Sequence, residues 1–513
     1  MAFAAKMSEL SRTPFERPLI RCCPFAETTR TFFSRDLASS EAVQRRCSTQ
    51  IGIRGNEMAE SFDVVVVGAR CAGSPLAAML ARRGVKVAVV ERATFPRDTL
   101  STHIFEADAL AFLNRLGVTD QLRATGAPFI PRLNVRSEDF RFSTDWPQRA
   151  GDIGGSASIR RIMLDPILAN AAEQAGAQVR MATEVTGLVQ DHGRVTGVRV
   201  RTDGREHELH ARLVVGADGR NSTVAKLVGA RKYNVVPNER FAYWSFFEGA
   251  DTRPMHVFHR WAERFVIATP CDSGLYQVIV LPEMGEFPRF RADLEGSFME
   301  YARSCEPVAN ALAGANRVGK LFGMLRWAGF FRETCGPGWA LVGDAGHFKD
   351  PSPGRGIADA FSQVDALVPA VLEGLDGPPD AQDTALARWG RWRDREFAEH
   401  YWLANDLGKA GRAPSVLPQM VADMHAKGQI GRFLDLFTHR ERPSHVLSPA
   451  RLLGSTARLL RHQHDRRAVL NEVKMLIGQN AHRQLLNHRR AYATASEMSQ
   501  DAGPTEVENS ALT

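Results

Sequence analysis

The sequence predicts an α/β protein: a parallel sheet with helices packed on it, an inserted antiparallel β region, and a helical C-terminal region. Three observations carry the expectation. An unbroken β-branched run, Val64–Val67, suits a strand buried on both faces of a parallel sheet, and strand, glycine turn and helix recur further along. Between about 235 and 330 the pattern changes to short aromatic-rich segments, FAYWSFFEG, MHVFHRW, RFVIATP and LYQVIVL, with turns between them. From about 380 to about 495 the chain reads as mostly helix.

The first element is DVVVVGARCAGSPLAAMLARRGVKVAVVE, Asp63 to Glu91. Gly68 ends the strand and turns the chain, Arg70, Cys71 and Ala72 fill the turn, and Gly73 lets the following helix lie close on the sheet. Gly84 stops that helix, and Val85–Val90 makes a second strand ending in Glu91. The whole is a βαβ unit of the length that dinucleotide binding requires. Free amides at the helix start point at a pyrophosphate, where the helix dipole favours negative charge. An acid at the second strand end accepts hydrogen bonds from ribose hydroxyls. Arg70 stands where the pattern has its middle glycine, so its side chain must swing aside or lie along the phosphates as a counter-charge.

Composition bounds the rest. With 513 residues, 44% hydrophobic and 24% charged, the chain can bury one large core or two ordinary ones. It has no run of eighteen apolar residues, which argues against a membrane-spanning helix. Cys22, Cys23, Cys47, Cys71, Cys271, Cys305 and Cys335 show neither CxxC pairing nor a zinc-like spacing with histidine. No metal site is therefore expected, and reduced thiols in a cytoplasmic protein are. The net charge of +7 is concentrated between Arg440 and Arg490, where eleven Lys or Arg face Glu441, Asp465 and Glu472. No nucleic-acid-binding motif accompanies it, so nucleic acid is not an expected partner. Residues 1–57 hold six acids and nine basic residues with no clear period. They are expected to be a disordered extension or the product of an upstream start codon, ahead of Met58.

Beyond Glu91, Pro96 breaks structure and Thr99–His103 forms a polar loop before a helix from about Phe105 to Leu116. The loop lies just past the ribose-binding strand end, which makes His103 a candidate active-site group, with helix capping as its alternative. Residues 132–158 alternate in strand fashion. A helix follows in RIMLDPILANAAEQ, with Leu164, Ile167, Leu168, Ala171 and Ala172 on one face and Arg161 at its start, then a strand from Gln178 to Ala182. Turns at Asp191-His192-Gly193 and Asp203-Gly204 separate further strands, and ARLVVGADGRNSTVAKLVG repeats strand, glycine turn and helix around Asp218. Most aromatics of the insert are expected in the core, with Tyr243, Trp244 and His259 as candidates for walling a ligand cavity.

Trp339–Val342 is a last buried strand, ended by Gly343-Asp344. The loop Asp350–Gly356 is stiffened by Pro351 and Pro353 and, through Gly354 and Gly356, opens a helix near Ile357. This second helix start is one that a planar ligand can approach closely. The expected divisions are 58–234 with 331–378 for the parallel-sheet domain, 235–330 for the insert, and 379–495 for the helical region. A disordered tail, 496–513, would follow.

Three separated motifs agree, and together they resemble the FAD-dependent monooxygenases of the p-hydroxybenzoate hydroxylase type. They are the turn Gly68–Gly73 with Glu91; Gly216-Ala-Asp218-Gly219, similar to the DG motif of that family; and Gly343-Asp344 with Pro351–Gly356, similar to its GD motif. Arg161 is similar to the family arginine that contacts the FAD pyrophosphate. The resemblance covers about Phe62 to Leu375 and implies a Rossmann-like FAD domain with a β-sheet substrate domain laid over the flavin. By the same resemblance Asp344 would bind ribityl or phosphate oxygens. The Pro351–Gly356 loop, with Ile357, would sit at the flavin pyrimidine edge, and Asp218 would support the region shared with a transiently bound NAD(P)H. The chemistry implied is flavin reduction by NAD(P)H, formation of a flavin C4a-hydroperoxide with O2, and hydroxylation or epoxidation of a small organic substrate. No protein base is demanded, and His103 and Tyr243 are candidates for substrate contact.

The same scaffold carries other reactions. Geranylgeranyl-reductase-like flavoproteins reduce C=C bonds, and the Arg70 form of the turn suits that wider group. Flavin halogenases share the scaffold, but their WxWxIP signature is absent here. A flavin-binding protein without turnover is the alternative of another class. Near the C-terminus, Leu452, Leu453, Leu459 and Leu460 recur at one-heptad spacing among Arg451, Arg458, Arg461, Arg466 and Arg467. A helix packed on the body with a solvated basic face is the preferred reading. Docking on an anionic membrane, or admission of a lipophilic substrate, is the other.

Overall fold

Val64 and Val66 point to one side of their strand and Val65 and Val67 to the other, and all four are buried. That double burial is what the unbroken valine run encodes. In the computed structural model, which describes residues 60–462 and 465–492, this strand, Glu60–Val67, lies between two parallel partners. Val87–Val90 is on one side and Arg205–Gly216 on the other, with Gln178–Arg180 and Trp339–Leu341 beyond them. Val67 is level with Val90 and Gly216, and Gly216 with Leu341. The three glycine turns therefore leave the carboxyl edge of the sheet side by side, the place where open α/β sheets bind ligands.

One face of this sheet carries the helices Gly73–Ala81, Arg161–Gln174 and Gly356–Leu375, with Leu76, Leu80, Leu164, Leu168, Phe361 and Val364 buried against it. The other is covered by the hairpin Thr183–Asp191 and Arg194–Thr202 and by the short helix Thr223–Leu227, through Val198, Val200 and Val224. Each such side chain contributes roughly 1.5–3 kcal/mol by leaving water, so the two valine faces are the main stabilising feature of the sheet.

The insert builds a second sheet of seven strands. Their order is Asn316–Met324, Ala242–Glu248, Tyr276–Val280, Arg264–Pro270, Met255–Trp261, Arg132–Ser137 and Phe140–Asp145. Two features differ from the sequence expectation. The hairpin 132–145, expected with the parallel-sheet domain, belongs to this sheet, and Arg132–Ser137 pairs parallel with Met255–Arg260, so the sheet is mixed. Residues 287–311, expected as part of a β region, form three helices, Phe287–Ala292, Leu294–Arg303 and Glu306–Ala311. Phe290, Phe298, Tyr301 and Ala302 face the sheet from them, at a helical period hidden among charged residues and breakers.

The two faces of this sheet have different surroundings. Phe241, Tyr243, Phe247, Val278 and Val280 pack under the three helices. Ala242, Trp244, Phe246, Ile267 and Ile279 face the other way and pack with Ile104 and Phe348 of the parallel-sheet body. The helical region opens with Pro379–Leu407, packed on Gly356–Leu375, and continues through Val416–Ala426, Pro449–His462 and Arg466–Arg489. The extension 1–57 and the tail from 496 lie outside the described residues. Among the described residues, no helix is long and apolar enough to cross a membrane, and no cluster of His, Cys, Asp and Glu could hold a metal ion.

Candidate cofactor and substrate site

Gly68 has φ +103°, and a Cβ there would stand 2.6 Å from the carbonyl oxygen of Ala217; a Cβ on Gly73 would stand 1.8 Å from that of Gly68. Only glycine serves at either place. The turn so formed leaves the amides of Arg70, Cys71, Ala72 and Gly73 without a hydrogen-bond partner among the described residues. Arg70 swings aside: its Nη1 lies 2.6 Å from Asp165 Oδ2 and its guanidinium stands over the Phe95 ring. Asp165, fully buried on the Arg161–Gln174 helix, also accepts from Arg161 Nε at 2.7 Å and stands 3.7 Å from Cys71 Sγ. One carboxylate thus binds both arginines and the turn together.

Glu91 is buried at the end of its strand, where Oε2 accepts from the Ala69 amide and Oε1 from the Ala93 amide, each at 3.0 Å. Each oxygen keeps a lone pair for a further donor. Asp218 Oδ2 accepts from Thr223 and Val224 at the start of their helix, while Oδ1 is buried with no partner among the described residues. Burial raises this carboxyl above the ordinary range.

Gly343, with φ +63°, approaches Ala72 of the first turn so closely that a Cβ on it would be 3.0 Å from the Ala72 Cβ. Burial pushes the neighbouring Asp344 up to about 6, against the pull of Arg220 and Arg161. The Pro351–Gly356 loop is fixed by Asp350, which accepts from Ser352 N at 2.9 Å and from Trp327 Nε1 at 3.0 Å. The amides of Arg355, Gly356, Ile357 and Ala358 have no partner among the described residues. Arg355 itself is buried; it binds Asp108 through two bonds of 2.7 Å and Glu106 at 2.9 Å. Beside it, Lys349 Nζ lies 2.6 Å from Asp359 and 3.2 Å from His439 Nε2.

The two residues considered for substrate contact lie in different places. His103 is buried and its Nδ1 accepts from the Arg161 amide at 3.1 Å, capping that helix; burial, helped by Arg161, pushes it down to about 3, so it is a neutral acceptor. Tyr243 stacks on Phe290 beneath the three outer helices, on the sheet face turned away from the glycine turns. His259 shares that face, bonded to Asn134 and Cys305. Trp244 alone of the three cavity candidates is on the inner face, stacked on Phe322, and its Nε1 is buried without a partner among the described residues. On the neighbouring strand Gln277 Nε2 is likewise unpartnered, its Oε1 accepting from Ser158. A further bridge joins the sheet to the body: fully buried Asp272 accepts from Arg160 N at 2.7 Å and from Arg160 Nε at 2.9 Å.

Residues 61–261 match the family model of the FAD binding domain. That domain and the relatives below mark the chain as an FAD-dependent oxidoreductase. It is 26% identical over 326 residues to 6-methylpretetramide 4-monooxygenase of Streptomyces rimosus, covering 61% of this chain and 76% of that one. It is 27% identical over 350 residues to digeranylgeranylglycerophospholipid reductase of Methanosarcina acetivorans, covering 66% and 82%. Among solved structures, the flavin-dependent brominase Bmp2 superposes with a TM-score of 0.63 at 18% identity, covering 79% of this chain and all of that one, a likeness of fold. The residues present suit such a cofactor: two sets of helix-start amides and Asp218 Oδ1, without partners among the described residues, lie at one sheet edge.

Sequence reasoning missed Asp165, Glu106, Arg355, Lys349, Asp272 and Gln277. For Asp165 a signal existed, since Arg161 and Asp165 are four apart on a helix. Glu106, Arg355, Asp272 and Gln277 are joined by contacts between residues more than a hundred positions apart, and Lys349 reaches His439 across ninety, which no local pattern announces.

Proposed function

We propose that this FAD-dependent oxidoreductase is an NAD(P)H-dependent monooxygenase that hydroxylates or epoxidises a small organic substrate held against the inner face of the seven-stranded sheet. FAD, when bound, supplies hydride acceptance and the activation of O2. The chain supplies binding, orientation and dryness. The amides of residues 70–73 would hold the diphosphate and Glu91 the ribose. Asp344 would bind ribityl or phosphate oxygens. The helix start at Arg355–Ala358 would favour negative charge at the pyrimidine edge of the ring. Trp244, Phe246, Ile267 and Ile279 form an apolar wall that keeps water from the reacting atoms, while Trp244 Nε1 and Gln277 Nε2 offer donors to a substrate oxygen.

The observation that most supports this reading is the convergence of the three glycine turns opposite an aromatic sheet face. A second reading, O2-independent reduction of a C=C bond, is favoured by the similarity to the phospholipid reductase over 82% of that protein's length. The test is NAD(P)H oxidation by the flavin-loaded protein with a substrate panel, in air and under argon, followed by product mass. O2 uptake with products heavier by one oxygen is expected. Products heavier by two hydrogens, formed equally under argon, would overturn the oxygenase reading in favour of the reductase.

A further inference from the structure

Six of the seven large apolar side chains exposed among the described residues lie within residues 453–492: Leu453, Leu470, Met475, Ile477, Leu485 and Tyr492. The seventh is Leu227. Solvent exposure of Leu470, Ile477 and Leu485 runs from 53% to 56%, so these are not rims of a core. They belong to the helix Arg466–Arg489, which packs on the body through Val469, Val473, Leu476 and Leu486. At 3.6 residues per turn, Leu470, Lys474, Ile477, Ala481 and Leu485 share the opposite side with Arg467, and all are exposed. The outward stripe therefore alternates apolar groups with cations.

The charges decide what covers such a stripe. Between Pro449 and Tyr492 there are nine Lys or Arg and two acids. Both acids are used elsewhere: Asp465 caps its own helix at the Ala468 amide, and Glu472 turns to the body, accepting from Ser415 N and Oγ. Arg458, Arg483 and Arg490 are spent on Asp423, Asp406 and Asp394. Arg461, Arg466, Arg467, Lys474 and Arg489 make no ion pair with any described residue. A second copy of this chain laid on the stripe would bring like charges together with no outward acid to relieve them. Nucleic acid would leave the leucines in water. A surface that is both anionic and apolar a few ångströms below its charge satisfies both groups at once.

We infer that the Arg466–Arg489 helix docks this protein on anionic lipid bilayers, lying in the interface with Leu470, Ile477 and Leu485 inserted and Arg467 and Lys474 at the phosphates. With 24 residues the helix is about 36 Å long, enough to lie along the surface; it is too polar to cross the bilayer.

The test is sedimentation of the full-length, flavin-loaded protein with vesicles of phosphatidylcholine alone or with 30% phosphatidylglycerol as an order-of-magnitude anionic content. Binding only to the anionic vesicles is expected, weakening with salt. Lys474→Glu with Arg467→Glu should reduce the affinity at least ten-fold, since each cation near such a surface is worth roughly five-fold. Ile477→Ser with Leu485→Ser should reduce it at high and low salt alike. Both variants should keep flavin content and NAD(P)H turnover, which separates loss of docking from loss of folding. Absence of vesicle binding by flavin-loaded wild type would overturn the inference. So would a dimer in light scattering that the Ile477→Ser and Leu485→Ser variant dissolves.

Discussion

Asp165 decides what an arginine in the glycine turn is able to do. Of the two courses open to Arg70, the aside position is taken because Asp165 Oδ2 stands 2.6 Å away, while Oδ1 is occupied by Arg161 at 2.7 Å. The four amides of the turn, without partners among the described residues, are thereby left clear, and a diphosphate bound by them would have two guanidinium groups nearby. Removing the carboxylate would leave Arg161 buried without its counter-charge, at a cost of about 3–5 kcal/mol. Asp165→Ala is therefore expected to lower the melting temperature clearly and to weaken FAD binding at least ten-fold in a fluorescence titration. An unchanged flavin affinity would mean that the arginines are positioned by packing alone.

At the scale of elements, the glycine turns were legible because each is local: strand, glycine and helix start follow within a dozen residues, and the backbone requirement at Gly68 or Gly73 excludes any other side chain. The Val64–Val67 strand was legible for the same reason. What stayed hidden depends on pairing between distant segments. Nothing in residues 132–145 says that they will extend a sheet begun at 242, and the parallel ladder to Met255–Arg260 joins strands more than a hundred residues apart. The inner and outer faces of that sheet were equally hidden, since Tyr243 and Trp244 are adjacent in sequence and a strand sends neighbours to opposite sides. Asp272 carries one of these long connections, tying the turn between two sheet strands to Arg160. Its removal leaves the Arg160 side chain and amide without that acceptor, and about 2 kcal/mol of stability should be lost. Asp272→Ala is expected to keep its flavin, raise KM for the organic substrate, and exchange amide hydrogens faster at 271–275. A change in flavin affinity as large as the change in KM would show that the contact supports the whole body rather than the position of the sheet.

At the scale of the whole molecule, distant segments of the described chain meet in a buried cluster of titratable groups. Glu106 and Asp108 come from its first third, Lys349, Arg355 and Asp359 from the GD segment, and His400 and His439, stacked 3.7 Å apart, from the helical region. Their titration has opposite signs. Burial holds His103 at about 3, His256 and His259 at about 4, His400 at about 2, and His347 and His439 well below the ordinary 6.5. Unfolding lets each of them take a proton, so stability falls as pH drops through 6.5. Glu106 acts the other way: burial, aided by Asp108 and Asp359 and opposed by Arg355, pushes it from 4.5 up to about 8. The folded protein keeps that proton while the unfolded chain has released it, so the contribution is complete below 4.5 and is lost as pH rises toward 8. Between 6.5 and 8 the unfolded histidines give up their remaining protons, a rising contribution that wild type shares with any Glu106 variant, and the window of Asp344, at about 6, has closed. Glu106 then sets a downward slope of at most about 1.4 kcal/mol per pH unit. In urea denaturation the wild type should accordingly lose up to about 2 kcal/mol relative to Glu106→Gln across that range, while the acid limb stays in place in both. If wild type and variant show the same pH dependence there, Glu106 is already ionised in the folded protein, and Arg355 with Lys349 outweighs the two acids around it.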